Sequence, residues 1–373
     1  MNLSKFSLLF ICDVVYDCFL VMIEKKIFSL AASIIKFFIF YLFFLNAYAE
    51  TVNKKYYEEE QGIVGIMYHR FGEDKYPSTN IDIDIFKEHI NLIKEKRLDF
   101  FNPKNLVDEF SKVKKKKKIL ITIDDGFSSF FENAWPYLKE NKIPFILFIS
   151  TKAVGKRGYM NWSQIKEVEK EDFAFIGNHS HSHNYMIDYN LKKFSKDIDK
   201  SIKIFKNKIG YNPKFFSYPF GEYNFEQKKY ISKKFDYAFG QNSGVIDLNK
   251  NRYELPRFPI NEKYGDLKRF EFLVKLLPLQ YKSISPEDKF LTKLNNPPNM
   301  YIEFFEDQKN LNLINCFSNE GGSWKDTKIS LKNKKLIINF SNKFNFRRGR
   351  INCSINDKEG WRWLGIQFSI KQN

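Results

Sequence analysis

Short uninterrupted apolar runs alternate along most of this chain with longer stretches whose apolar positions recur every three or four residues. "GIVGIMYH" (62–69) has the length of a buried strand, and "DIFKEHINLIKEKR" (84–97) follows with helical spacing at Phe86, Ile90 and Ile93. The pattern repeats with "ILITI" (119–123) before a helix in "SSFFENAWPYLKENK", then "FILFIS" (145–150) before a helix from "WSQIKEVEK". "FAFIG" (173–177) precedes a longer helix over 191–208, "FFSY" precedes a helix near 224–234, and "YAFG" and "YELPRF" close the series. Strands alternating with helices at such short intervals predict a parallel sheet with crossover helices, open or closed into a barrel.

The rhythm stops after "GDLKRFEFLVKLL". Residues 278–299 hold Pro278, Pro286, Pro297 and Pro298 and read as a linker. From Met300 onward short strand-like runs such as "MYIEFF", "KLIINFS" and "WRWLGIQFSI" are separated by the turn sequences "NEGGS" and "NDKEG". Residues 300–373 are therefore expected to form a small all-β, sandwich-like domain.

The N-terminus changes the compartment. From Met22, "MIEKKIFSLAASIIKFFIFYLFFLNAYAE" passes from two lysines through a long apolar stretch to Ala47-Tyr48-Ala49, the pattern of a secretory signal peptide. The expectation is a leader over residues 1–49 with its true start at Met22, or an uncleaved anchor, since the apolar stretch approaches the ~20 residues that span a bilayer. Either form exports residues 50–277 and all that follows, to the periplasm, the medium or the outer side of a membrane. Cys12 and Cys18 fall in the leader. Cys316 and Cys353 remain as an even pair in an oxidising compartment, to be read as a disulfide or as two buried free thiols.

Forty phenylalanines among 373 residues argue against disorder. A formal charge of +17 raises nucleic acid, an anionic membrane or an acidic polymer as partners. Lys, Asn, Ile, Phe and Tyr are abundant together, however, as an AT-rich coding sequence produces, and the charge is spread along the chain. The exception, "KKKKK" at Lys114–Lys118, reads as a solvated loop before a strand. No basic-and-aromatic motif accompanies it, so no nucleic-acid partner is expected.

Chemistry concentrates at strand ends. "TIDDGF" (122–127) sets two adjacent aspartates where parallel α/β folds gather their ligand-binding loops, and Gly126 permits a sharp turn; the same residues also make an ordinary turn. "HSHSH" (179–183) holds three of the five histidines. In a turn, His179 and His183 face one way and can grip a cation; in an extended segment His179 and His181 share the face instead. Imidazole with carboxylate suits zinc and similar ions. "FFSYPFGEYN" (215–224) is a third strand-end piece, a rigid loop around Pro219 and Gly221 in which the Phe220 N–H is free to point into a site.

In this order and spacing, "TIDDG", "HSHSH" and "SYPFG" resemble the motifs of the polysaccharide deacetylase family (carbohydrate esterase family 4, the NodB-homology domain), over about residues 62–275. The resemblance implies a distorted (β/α)7 barrel with one divalent metal ion, zinc first and cobalt, nickel or manganese as alternatives, at the mouth of its strands. It implies Asp124 as general base, Asp125, His179 and His183 as metal ligands, and the Phe220 N–H, beside Pro219, as an oxyanion donor; His181 falls outside the set. Two departures matter. Ser217 stands where the family has an arginine that orients the base, and Arg257 in "LPRFP" is the expected substitute. No histidine follows His183, so the acid is sought in His69, whose "MYH" setting resembles that of exopolysaccharide and poly-N-acetylglucosamine deacetylases; His89 reads as surface or packing. Trp162 is a candidate sugar platform or a packing residue. The implied reaction is hydrolysis of N-acetyl groups from an acetylated amino-sugar polymer, with an O-acetyl esterase or a non-catalytic glycan-binding protein on the same fold as alternatives, and with association to membrane or envelope open.

Overall fold

The structure, a computed structural model, describes residues 62–106, 117–247 and 249–371. The expected leader over 1–49 and Lys114–Lys116 of the lysine run lie outside the described residues. Lys118 is described and already belongs to a strand.

Six strands pair in parallel and in chain order: β1 (Ile63–Tyr68), β2 (Lys118–Ile123), β3 (Phe145–Ile149), β4 (Ala174–Asn178), β5 (Phe215–Ser217) and β6 (Tyr237–Phe239). They are buried on both faces, which is why their sequences read as continuous apolar runs instead of alternating ones. β7 (Val245–Ile246) lies antiparallel to β1 on its other edge, and β8 (Phe258–Pro259) pairs with β1 in parallel. Just before β8, Leu255 bridges to Phe239 of β6. The nine-stranded sheet thus curls until its last segment ties its sixth strand to its first, giving the distorted (β/α) barrel expected.

Crossover helices pack outside. α1 (Ile83–Glu95) starts at Asp82, whose side chain accepts the Asp84 and Ile85 N–H groups. α2 (Trp135–Glu140), α3 (Trp162–Glu169), α4 (Leu191–Ile209), α5 (Phe225–Ile231) and α6 (Leu267–Val274) follow; Asn161 with Gln164 and Asn224 with Gln227 form reciprocal capping boxes at α3 and α5. Strand residues sort by parity. Val64, Ile66, Ile119, Ile121 and Ile176 join the layer under the helices, while Ile63, Leu120, Phe148, Phe215 and Phe239 fill the barrel interior. Gly177 is needed at this interior layer, because a Cβ there would meet the Phe148 ring at 2.3 Å.

The C-terminal region is the expected sandwich. One sheet contains β10 (Asn315–Ser318), β13 (Arg348–Asp357) and β14 (Gly360–Ile370); the other contains β9 (Met300–Glu303), β11 (Lys328–Lys332) and β12 (Lys335–Asn339). Ile302, Leu336, Ile351 and Phe368 meet between them. Cys316 and Cys353 face each other across the β10–β13 pair and form a disulfide. The segment expected as a linker over 278–299 is instead woven into both sheets. Leu277–Pro278 and Phe290–Leu291 pair with β14, and Ser283–Ser285 pairs with β9. Its prolines sit at short strand edges and turns, where a missing N–H costs no ladder bond. Barrel and sandwich belong to one compact unit.

Candidate active site

Strand parity builds the site. Leu120 and Thr122 of β2 point inward, so the next residue of that series, Asp124, points into the mouth of the barrel; its N–H is held by the Tyr68 carbonyl at 2.9 Å. In β4, Phe175 packs against the barrel interior, and continuing the series through Gly177 brings in His179. Phe215 leads to Ser217 in the same way, and Leu255 leads to Arg257. Asp124, His179, Ser217 and Arg257 are all fully buried at one end of the barrel.

Asp125 has φ 75° and Gly126 φ 73°, a left-handed turn that swings Asp125 back over the mouth. Aspartate tolerates this region better than most residues, and strain of this kind clusters at functional sites. Ser180 (φ 68°) and His183 (φ 51°) bend the histidine run likewise, and the Ser180 hydroxyl accepts the His183 N–H at 3.0 Å. The run is therefore a turn. Asp125 Oδ1 lies 3.0 Å from His183 Nε2 and 3.4 Å from His179 Nε2, and the two Nε2 atoms are 3.2 Å apart. His181 is turned away, its Nδ1 against the Thr151 hydroxyl at 2.9 Å.

Three donor atoms converging in this way are the set that could hold a metal ion. The neighbouring contacts fit that use. His179 Nδ1 donates to the Ser217 carbonyl at 2.7 Å, which leaves Nε2 with its lone pair toward Asp125 and His183. Burial holds His179 in its neutral form, its pKa lowered to about 4. Burial opposes ionisation of Asp125, but His183 and His179 outweigh it and hold the carboxyl well below its usual range.

Arg257 meets Asp124 as a two-toothed fork, Nη1 to Oδ1 at 2.7 Å and Nη2 to Oδ2 at 2.9 Å. Its other donors go to Ser217 Oγ (2.8 Å), Thr122 Oγ1 (3.1 Å) and the Gly240 carbonyl (3.0 Å). Burial would raise the Asp124 carboxyl; the Arg257 guanidinium, aided by His179, holds it below the ordinary carboxylate value. The segment before β8 that closes the barrel thus brings in an arginine where the third motif carries Ser217. His69 follows β1, half-buried, close enough for its charge to act on both aspartates. His89 is a core residue, with Nδ1 against Tyr68 Oη (3.0 Å), Nε2 against the Gly265 carbonyl (2.8 Å) and its ring stacked on Phe270. Trp162, half-buried, packs edge-on against Phe205 beside the helix layer.

Phe220 lies in the turn that follows β5. Its backbone is left-handed (φ 59°), Pro219 precedes it, and its ring lies over the site, 4.8 Å from the His183 ring and stacked on Tyr185 at 4.3 Å. Gln367 Nε2 on β14 donates to the Phe220 and Gly221 carbonyls at 3.1 and 3.0 Å, and Arg348 at the start of β13 lies over the Phe220 ring. The sandwich therefore braces the 219–221 turn. Nothing in the sequence marks Tyr185, Gln367 or Arg348 for this; they follow from how the two parts pack.

Glu222, next to this turn, is buried beneath Arg347 and Arg348, each 3.7 Å away, with neither carboxylate oxygen hydrogen-bonded among the described residues. Burial pushes its pKa to about 7 in spite of the two arginines. The folded protein then binds a proton that the unfolded chain releases near pH 4.5, so stability is full below about pH 4.5 and falls as pH rises to about 7. Glu222→Gln is expected to abolish this decline and to exceed wild type by about 2–3 kcal/mol at mildly alkaline pH. Thermal melts of both proteins across that window check it, and a flat wild-type profile would contradict it.

A family model described as polysaccharide deacetylase matches residues 111–240. The poly-beta-1,6-N-acetyl-D-glucosamine N-deacetylase of Staphylococcus epidermidis is 24% identical over 260 residues, covering 62% of this chain and 88% of that protein. The protein of the same name from Staphylococcus aureus is 28% identical over 205 residues, 51% of this chain and 69% of its own. Among solved structures, IcaB from Ammonifex degensii superimposes with a TM-score of 0.50 at 21% identity, over 58% of this chain and 98% of that one. The Streptococcus pyogenes deacetylase PplD in complex with acetate gives 0.51 at 18% identity, over 55% and 95%. At these identities the structures establish a common fold.

Proposed function

We propose that this chain, which carries a polysaccharide deacetylase domain, removes N-acetyl groups from an amino-sugar polymer outside the cytoplasm. The observation that carries the reading is the convergence of Asp125, His179 and His183 beside an aspartate that a buried arginine keeps ionised. The names of the curated relatives favour an N-acetylated glucosamine polymer over an O-acetylated one. The disulfide supports an oxidising compartment, in agreement with the leader pattern of residues 1–49.

Asp125 Oδ1, His179 Nε2 and His183 Nε2 would hold a divalent ion, zinc being the first choice for this donor set. Such an ion supplies Lewis acidity to the amide carbonyl and makes water a stronger acid at neutral pH. Asp124 takes a proton from the attacking water on a carboxylate oxygen that Arg257 orients. The Phe220 N–H, on its braced left-handed turn, donates to the developing oxyanion. His69 gives its proton to the sugar nitrogen as the C–N bond breaks, leaving acetate and a free amine. The stacked rings of Phe220 and Tyr185 wall the mouth beside His183.

Acetate release from poly-N-acetylglucosamine, chitin oligomers and peptidoglycan, with and without a chelator, tests the reading. Chelation is expected to abolish release, and added zinc to restore it. His69→Ala is expected to cost about 10²–10⁴-fold in kcat. Full activity in His69→Ala would move the acid elsewhere; chelator-resistant release would end the metal assignment.

A further inference from the structure

The barrel-facing side of the C-terminal sheet carries a strip that begins at the active-site turn and ends in an aromatic groove. On β13, Gly349, Ile351 and Cys353 are buried, so Arg348, Arg350 and Asn352 point the other way. Opposite them on β14 stand Ser369, Gln367 and Gly365, followed by Trp363. At the near end, Arg348 and Gln367 touch Phe220 and Gly221. In the middle, the Asn242 amide donates to the Gly365 carbonyl at 3.0 Å, and a Cβ at 365 would lie 1.9 Å from the Ser243 carbonyl oxygen. Sheet and barrel are seamed tightly there.

Beyond the seam opens a groove of about 360 Å³ between the barrel mouth and the sandwich. Gln241, which packs directly on Gly221, lies at its inner end, and Pro259 of β8, paired with Met67 two residues before His69, lines its side. The groove therefore adjoins the turn that borders the active site. Trp324, Tyr264 and Phe272 line it with rings that are 50%, 38% and 37% exposed, an unusual amount of aromatic surface to leave in water.

We infer that this groove is an extended subsite that binds the acetylated, uncharged stretch of a hexosamine chain adjoining the residue under attack. The inference rests on the deacetylase reading and adds to it a place for the polymer. Flat rings separated by amide side chains suit a pyranose chain, which offers C–H faces to the rings and hydroxyl and acetamido groups to Gln241, Asn242 and Asn352. Charge selects the acetylated form. The lining includes Arg269 and Arg350 and no carboxylate among the described residues, so a deacetylated stretch, which bears ammonium groups, is repelled. Arg350 Nε is taken up by Gln367 and Arg269 Nη1 by the Tyr264 carbonyl, so both cations are fixed in place along the groove wall. The product end is thus released while the unreacted end stays bound.

The test compares wild type, Trp324→Ala and the Trp324→Ala/Tyr264→Ala double variant on a long N-acetylglucosamine oligomer and on the disaccharide, which is too short to reach the groove. Both side chains are well exposed, so the variants keep the fold. Each substitution is expected to raise KM for the long oligomer about threefold to tenfold with kcat unchanged, and to leave the disaccharide unaffected. Calorimetry is expected to show wild type binding the acetylated oligomer more tightly than the fully deacetylated one, with Arg350→Glu narrowing the gap. Unchanged KM in both variants, or tighter binding of the deacetylated or of an acidic polymer, overturns the inference. Oligomer binding that depends on Trp324, in a protein that releases no acetate from either substrate, would keep the groove and remove the deacetylase reading.

Discussion

Arg257→Met is expected to destabilise the protein by about 3–5 kcal/mol and to shift the acidic limb of its activity profile to higher pH. Both effects have one origin. Asp124 is fully buried, and its charge is balanced by the two-toothed Arg257 contact. Methionine of similar length fills the space but leaves a carboxylate in the core with the Ser217 hydroxyl and His179 beside it and no guanidinium to balance its charge. In wild type the Asp124 pKa lies below its unfolded value, so its contribution to stability is present above pH ~4 and is lost as pH falls through the folded value. The variant loses that contribution, and its carboxyl stays protonated to higher pH, where it cannot accept a proton. Arg257→Lys is expected to recover part of the stability and little of the activity, because an ammonium cannot reproduce a fork shared among Asp124, Ser217, Thr122 and Gly240. Chemical denaturation with a pH–rate profile checks both statements. An Arg257→Met protein with wild-type midpoint and limb would show that the pair does not orient the base.

Asp124→Asn is expected to reduce acetate release about 10²–10⁴-fold while leaving metal uptake by Asp125, His179 and His183 intact. The amide has nearly the shape of the carboxylate but no basic oxygen pair. It also turns an NH₂ toward one of the Arg257 donors, so a loss of about 1–3 kcal/mol in stability accompanies the loss of rate. Zinc binding followed by calorimetry separates the two. Retained binding with lost turnover supports Asp124 as the base, whereas turnover near wild type would assign the proton transfer to another group. Asp124→Asn combined with Arg257→Met is expected to be more stable than Arg257→Met alone, since no lone charge is then left buried.

Much of the barrel and of its site was legible in the chain. Buried parallel strands must be apolar on both faces, so "ILITI", "FILFIS" and "FFSY" announced themselves, and the chemistry-bearing residues stood directly after them. The parity of a strand then decided that Asp124 and His179 point inward. The linker reading over 278–299 failed because prolines mark an interrupted ladder and do not distinguish a free spacer from short edge strands. Trp162 was ambiguous for a similar reason, since an aromatic at a helix start serves a core as well as a ligand.

By itself the sequence showed which chemistry-bearing residues follow the barrel strands, because the two-residue period of a buried strand runs on to its end, and the resemblance of three motifs to a known family implied their roles. The tertiary structure turned the expected substitution into a contact, with Arg257 forked onto Asp124 beside Ser217, and it alone decided that Gln367 and Arg348 hold the Phe220 turn. Arg257 lies 133 positions from Asp124 and Gln367 147 from Phe220, and no local period relates them. Their meeting depends on the curl that closes the barrel through Leu255 and on the sandwich packed against its mouth.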